Sequence, residues 1–295
     1  VRQRRQEQLR QKQALHRRRR TILAGGSIGA VLAVIAALVV VRLVAGGGPA
    51  AGADTGATRL SSAVSRALAV PAAMLDRVGR GQVGALPVKL SAQPALTVDG
   101  RPLVVYIGAE YCPFCAAQRW ALVVALARFG SFGELKAARS ASDDAFPSTA
   151  TVSFHGATYT SQYLAFQGVE LATSERRGAQ YVPLESLTAT QENVMRVYNA
   201  PPYVAKESAG SVPFVDFGNR FLMSGAAFSP SVLKGLTQEQ VAAALSDPAS
   251  PVARAVLGSA NAMTGVLCQL TGGEPGNVCA GPAAKAYPEM TNADG

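Results

Sequence analysis

Residues 103–115 read Leu103-Val104-Val105-Tyr106-Ile107-Gly108-Ala109-Glu110-Tyr111-Cys112-Pro113-Phe114-Cys115. The first six are a short apolar, β-branched run bounded by Pro102 and Gly108, the pattern of a strand buried on both faces. Cys112, four residues after Gly108, opens a different pattern. Pro113 suits the first position of a helix, where a missing N–H costs nothing. Trp120, Val123, Val124, Ala127 and Phe129 follow at amphipathic spacing, with Gly130 as the C-cap. Cys112 is then the N-cap, and Cys115 lies one turn along. Unsatisfied N–H groups and the helix dipole favour thiolate over thiol at that end, so Cys112 is the expected attacking sulfur. Cys115 is the expected resolving sulfur, which attacks the mixed disulfide formed on Cys112. A bare C-x-x-C also fits a closed structural disulfide or half of a zinc site, and both alternatives stay open at this point.

Downstream, Thr149 to Phe154 alternates like a strand, and Tyr159 to Leu171 is aromatic and β-branched. Thr188-x-x-Gln191 is a capping box for a helix to about Tyr198. Val212-Pro213-Phe214-Val215-Asp216-Phe217 and Arg220-Phe221-Leu222-Met223 predict two strands joined by the two-residue turn Gly218-Asn219. Ser229-Pro230 and Thr237-x-x-Gln240 start short helices. Ser250-Pro251 starts a long one, with Val252, Val256, Ala260, Met263, Leu267 and Leu270 on one stripe. Upstream, Leu60 to Val78 predicts two short helices broken at Pro71, and Asp99-Gly100 marks a turn between extended segments.

The formal charge of the 295-residue chain is +9, but it is concentrated at one end. Arg2, Arg4, Arg5, Arg10, Lys12, Arg17, Arg18, Arg19 and Arg20 face only Glu7 within residues 1–20, and from position 43 onward the charges balance. A folded surface without a basic patch excludes nucleic acid as a partner. Residues 21–44 form an apolar segment whose Thr21–Val41 stretch carries no charge, enough at about 1.5 Å per residue to span a bilayer. The competing reading is a cleaved signal peptide, whose apolar region is normally about 7–15 residues. With the Arg cluster on its amino side, the segment predicts a single-pass anchor in the cell membrane. The basic tail (1–20) is then cytoplasmic, a linker rich in Gly, Ala and Pro spans 45–58, and the domain of residues 59–295 is extracytoplasmic. In such a compartment cysteines pair as disulfides more readily than they bind metal. Cys268 and Cys279, across Gly272-Gly273-Glu274-Pro275-Gly276, predict a structural bridge, with a second redox pair as the alternative. Metal binding is not expected, since the chain has two histidines, His16 in the tail and His155 alone.

The order of apolar strand, C-P-x-C, helix and a later Val-Pro opening a hairpin resembles the thioredoxin superfamily. There the proline before the third core strand is cis and faces the redox cysteines, and the backbone before it pairs with substrate like an added strand. Pro213, preceded by Val212, matches that position. The resemblance implies a thioredoxin-like α/β fold, a central mixed sheet flanked by helices, with an insertion over about residues 137–200, a region read as one core strand and helix plus an inserted hairpin or lobe. It also implies Val212 and Pro213, with Pro113 and Phe114 of the redox motif, as substrate-binding residues. The Pro113-Phe114 pair is similar to glutaredoxin-type centres, whereas DsbA-like oxidants carry a His in the second slot. Tyr106 to Cys115, Arg119-Trp120-Ala121-Leu122 and Val212 to Arg220 together resemble an actinobacterial and archaeal thioredoxin-like family catalogued as a domain of unknown function, number nine hundred and twenty-nine. The resemblance covers about residues 60–281.

Two functional classes follow. One is a tethered thiol-disulfide oxidoreductase with no bound cofactor, acting on secreted or membrane proteins. Its membrane redox partner would be a quinone-linked oxidase or a reductant carrier. The other is a non-catalytic scaffold subunit in which the C-P-F-C motif only holds the helix. Glu110, two residues before the motif, is a candidate proton acceptor for Cys115.

Overall fold

Leu103 to Gly108 are buried without a break, and the run becomes the central strand of the structure. The computed structural model describes residues 61–291, so the expectations for the basic tail, the anchor and the linker lie outside the described residues. Among the described residues no helix is long and apolar enough to cross a membrane.

Helices α1 (Ser62–Leu68), capped by the Ser61 hydroxyl, and α2 (Ala72–Val78), which opens after Pro71, lead in. Strands β1 (Val88–Lys89) and β2 (Thr97–Val98) precede β3 (Arg101–Gly108). Asp99 and Gly100, at φ 50° and 74°, make the tight turn between the last two, which suits a hairpin because both central residues accept the left-handed region. The motif helix α3 (Pro113–Leu126) follows, then the short strands β4 (Ser131–Gly133), β5 (Lys136–Arg139), β6 (Ala150–Ser153) and β7 (Thr158–Thr160). After them come β8 (Ala165–Glu170), the hairpin of β9 (Ala172–Arg177) and β10 (Gln180–Pro183), and α4 (Ala189–Tyr198) behind its Thr188/Gln191 capping box. The chain continues through β11 (Phe214–Phe217), β12 (Phe221–Ser224), α5 (Gln238–Ala244) with a second capping box, α6 (Pro251–Leu270), α7 (Gly276–Cys279) and α8 (Pro282–Thr291).

The core sheet is mixed. β3 pairs antiparallel with β11, Phe214 opposite Ile107, and parallel with β8, Leu103 opposite Ala165. β12 and then β1 extend it beyond β11, and β2 pairs with the first residues of β3, giving six strands. Alternation along the strands splits the side chains into two cores. Val104, Tyr106, Val215, Phe217, Phe221 and Met223 pack under α3 and α6, while Leu103, Val105, Ile107, Phe214 and Leu222 pack with Val194 and Tyr198 of α4.

Helix α3 departs from the expected amphipathic pattern. Phe114 is its single residue that is not buried, because the sheet lies on one side, α6 on another, and β6 closes a third. Thr151 Oγ1 donates to Ala116 O at 2.9 Å, and Trp120 Nε1 donates to Ala150 O at 2.9 Å. Burying an indole this size contributes on the order of 4–6 kcal/mol. The helix also ends earlier than expected, at Leu126 with Ala127 as C-cap. Gly130 serves a different need: a Cβ there would lie 2.4 Å from Thr160 O, so only glycine lets the two segments touch.

The stretch 137–200 combines the expected core strand and helix with inserted strands. It contains β8, a strand of the core sheet, and α4, which covers a face of that sheet; the extra matter is β5, β6, β7 and the β9–β10 hairpin. Gly218 and Asn219, at φ 63° and 54°, form the predicted turn of the β11–β12 hairpin. Cys268 and Cys279 form a disulfide that ties the end of α6 to α7, with Cα atoms 5.5 Å apart. A loop of that length predicts that the Cys268→Ser/Cys279→Ser double variant loses about 3 kcal/mol of stability in urea unfolding, with the spectroscopic signature of the folded state unchanged.

Candidate functional site

Strand β3 ends at Gly108, and four residues later the chain must start a helix, which places Cys112 at the N-cap with φ −78° and ψ 121°. Its Sγ accepts the Cys115 N–H at 3.3 Å, in the place an N-cap oxygen usually takes. Cys112 is 7% exposed and Cys115 is fully buried one turn below it. Both are free thiols.

The two sulfurs are electrostatically unlike. A hydrogen bond from the Cys115 thiol, together with the backbone N–H groups of Cys115 and Phe114 and the charge of Arg119, outweighs burial and lowers Cys112 to about 7. At pH 7 about half of it is thiolate, against about 3% for an ordinary cysteine. Burial, and then donation to Cys112, hold Cys115 well above the usual thiol range; Arg119 and the Ala109 N–H oppose this. The two sulfurs thus differ in how readily they ionise.

Val212 and Pro213, just before β11, come to the same place. The Cys112 thiol donates to Val212 O at 3.9 Å, and the Val212–Pro213 peptide is cis. Of the two residues between the cysteines, Pro113 is buried as the first residue of α3, while Phe114 is 44% exposed. The Phe114 ring meets Phe146 edge-on at 5.9 Å. On the other flank Tyr111 stacks on Tyr181 of β10 at 3.9 Å, and Arg176 of β9 covers Tyr181 at 4.0 Å while its Nε bonds Asp143 at 2.8 Å. The β9–β10 hairpin therefore packs against Tyr111, the residue before Cys112.

Beneath the cysteines lies a polar cluster that sequence reading did not find. Arg119 and Glu170, both with no side-chain exposure, form a two-pronged ion pair: Nε to Oε1 at 2.7 Å and Nη2 to Oε2 at 2.6 Å. Nη2 also donates to Ala109 O at 2.7 Å, and Phe154 N–H donates to Glu170 Oε1 at 3.3 Å. Burial alone would lower Arg119, but Glu170 more than offsets it and holds the guanidinium charged. Burial pushes Glu170 up, and Arg119 opposes that shift. Tyr106, on β3, lies under the guanidinium at 5.9 Å from ring centre to Arg119 Cζ. Arg119 carried a sequence signal, a charged residue four positions after Cys115 and so on the same helix face. Glu170 carried none, being 51 residues away in sequence. Tyr106 and Arg119 act on Cys115, and Glu110 acts on Glu170.

The family model described as "Domain of unknown function (DUF929)" matches residues 87–269, more than half of the chain. The chain belongs to this family. The DUF929 stretch is narrower than residues 60–281, but it holds both motif cysteines, Arg119, Glu170, Val212 and Pro213; the lead-in helices and Cys279 lie outside it. Comparison with curated proteins and with solved structures gave no match.

Proposed function

We propose that this DUF929 protein is a membrane-tethered, extracytoplasmic thiol-disulfide oxidoreductase of thioredoxin-like fold. It exchanges disulfides with secreted or membrane proteins through Cys112 and Cys115, without a bound cofactor. The observation that carries the reading is the placement of Cys112: at a helix N-cap, lowered to about 7, against Val212 O and a cis proline, with a protonated Cys115 one turn below. The strand order β8-β3-β11-β12, with β8 parallel and β11 antiparallel to β3, supports the thioredoxin-like assignment. A thiol matched to ambient pH suits fast attack and departs from the strongly lowered thiolate of an extreme oxidant. The partner that resets the pair would be a membrane quinone-linked oxidase or a reductant carrier. The apolar segment 21–44 would hold the domain at the membrane where that partner lies.

The test is a redox titration of the full chain across glutathione poises, following Cys112 and Cys115 by mass. The pair should interconvert at potentials within the range of exchange proteins, about −120 to −270 mV. A pair that stays closed down to about −300 mV or below is a structural bridge and overturns the reading.

A further inference from the structure

The exchange cycle asks Cys115 to do something its surroundings resist, since a fully buried thiol must become a thiolate to attack the mixed disulfide. Charge in the interior survives only with a partner. Arg119 lies one helical turn beyond Cys115, on the same face, and is itself fully buried. Two of its three nitrogens are pinned by Glu170 and Ala109 O, and Nη1 has no hydrogen-bond partner. The buried Tyr106 hydroxyl has no hydrogen-bond partner and interacts electrostatically with the Cys115 thiol. The Ala109 N–H also points at Cys115. Three groups able to donate thus act on one sulfur, in an interior where an idle donor is costly.

Given the proposed exchange reaction, on which this inference rests, we propose that Arg119, fixed by Glu170, is the positioning residue whose buried charge carries Cys115 through its thiolate, with the Tyr106 hydroxyl donating to that sulfur. The Cys115 thiolate attacks Cys112 Sγ, the bond from Cys112 to the substrate sulfur breaks, and the Cys112–Cys115 bond forms. The substrate leaves as a thiolate and takes up the proton that Cys115 gave. Two electrons have then passed from the dithiol to the substrate disulfide. Glu170 tempers the guanidinium, so the pair sets how readily Cys115 ionises.

A chromogenic aryl disulfide added to the reduced full chain releases one thiolate when Cys112 attacks and a second when Cys115 resolves, so the two steps appear as two phases. Arg119→Met should slow the second phase about tenfold at neutral pH and move its pH midpoint upward, while the first phase changes less. Glu170→Gln, which leaves Arg119 charged without its counter-charge, should quicken the second phase and move the midpoint downward. Arg119→Lys should restore most of the rate. Because Arg119→Met strands a buried carboxylate, the Arg119→Met/Glu170→Met pair, which removes both charges, must still slow the second phase in a folded chain, by less than Arg119→Met alone. A second phase with unchanged rate and midpoint in Arg119→Met and Glu170→Gln, or shifts of the same sign in both, overturns the inference. A wild-type chain without the first phase overturns the exchange reading itself.

Discussion

Cys112→Ser should abolish the proposed exchange: the rate at which the reduced chain opens a protein disulfide should fall by at least about three orders of magnitude, while the urea midpoint should barely move. A serine hydroxyl is not ionised at neutral pH, and the histidine among the described residues, His155, is engaged by Glu185 at 3.2 Å. Its oxygen can still accept the Cys115 N–H, which is why the helix start survives. Cys115→Ser behaves differently. It keeps the attacking sulfur but cannot resolve, so covalent adducts with secreted proteins should accumulate on Cys112 in cells and be visible on non-reducing gels. Adduct formation of equal extent in the Cys112→Ser and Cys115→Ser chains contradicts the division of labour between the two sulfurs.

The placement of the two sulfurs was legible in the sequence because it is local. A β-branched run, a four-residue connection and a proline at the first helical position are contiguous, and together they fix Cys112 as N-cap. The Gly218-Asn219 and Asp99-Gly100 turns and both capping boxes are local in the same sense, and each stands where the spacing put it. What the sequence hid depends on pairing across the fold. β8 is short and of mixed composition, yet it is the parallel neighbour of β3, a role set by what lies beside it. The stack of Tyr111 on Tyr181 and the bond between Arg119 and Glu170 join residues brought together by the topology, and no periodicity marks them. Helix α3 was read as amphipathic because its apolar positions are spaced that way, but its remaining face holds alanines, Gln118 and Arg119, which are also buried.

Asp216 gives the fold an acid preference that the sequence did not announce. It lies on β11 opposite Val105 and Leu222, on the sheet face shared with Leu103, Phe214 and Tyr198. Its Oδ2 accepts the Asn219 N–H at 3.0 Å, but Oδ1 is buried without a partner. Burial raises this carboxyl to about 7, with the Asn219 N–H pulling weakly the other way. The facing phenol, Tyr198, is raised above its ordinary range by burial and by Asp216, so it does not titrate in this window. Between about pH 4 and 7 the folded state therefore binds a proton that the unfolded state has released, and stability falls as pH rises through that window. The loss approaches about 4 kcal/mol at neutral pH, a large part of a domain's net stability. Asp216→Asn keeps an oxygen for the Asn219 N–H and carries no charge. In urea unfolding it should match the wild type near pH 4, exceed it by a few kcal/mol at pH 8, and lose the wild type's decline between them. A wild-type stability that rises from pH 4 to 7, or an Asn variant that is weaker at pH 8, means that Asp216 is ionised in the folded chain and stabilised by a partner.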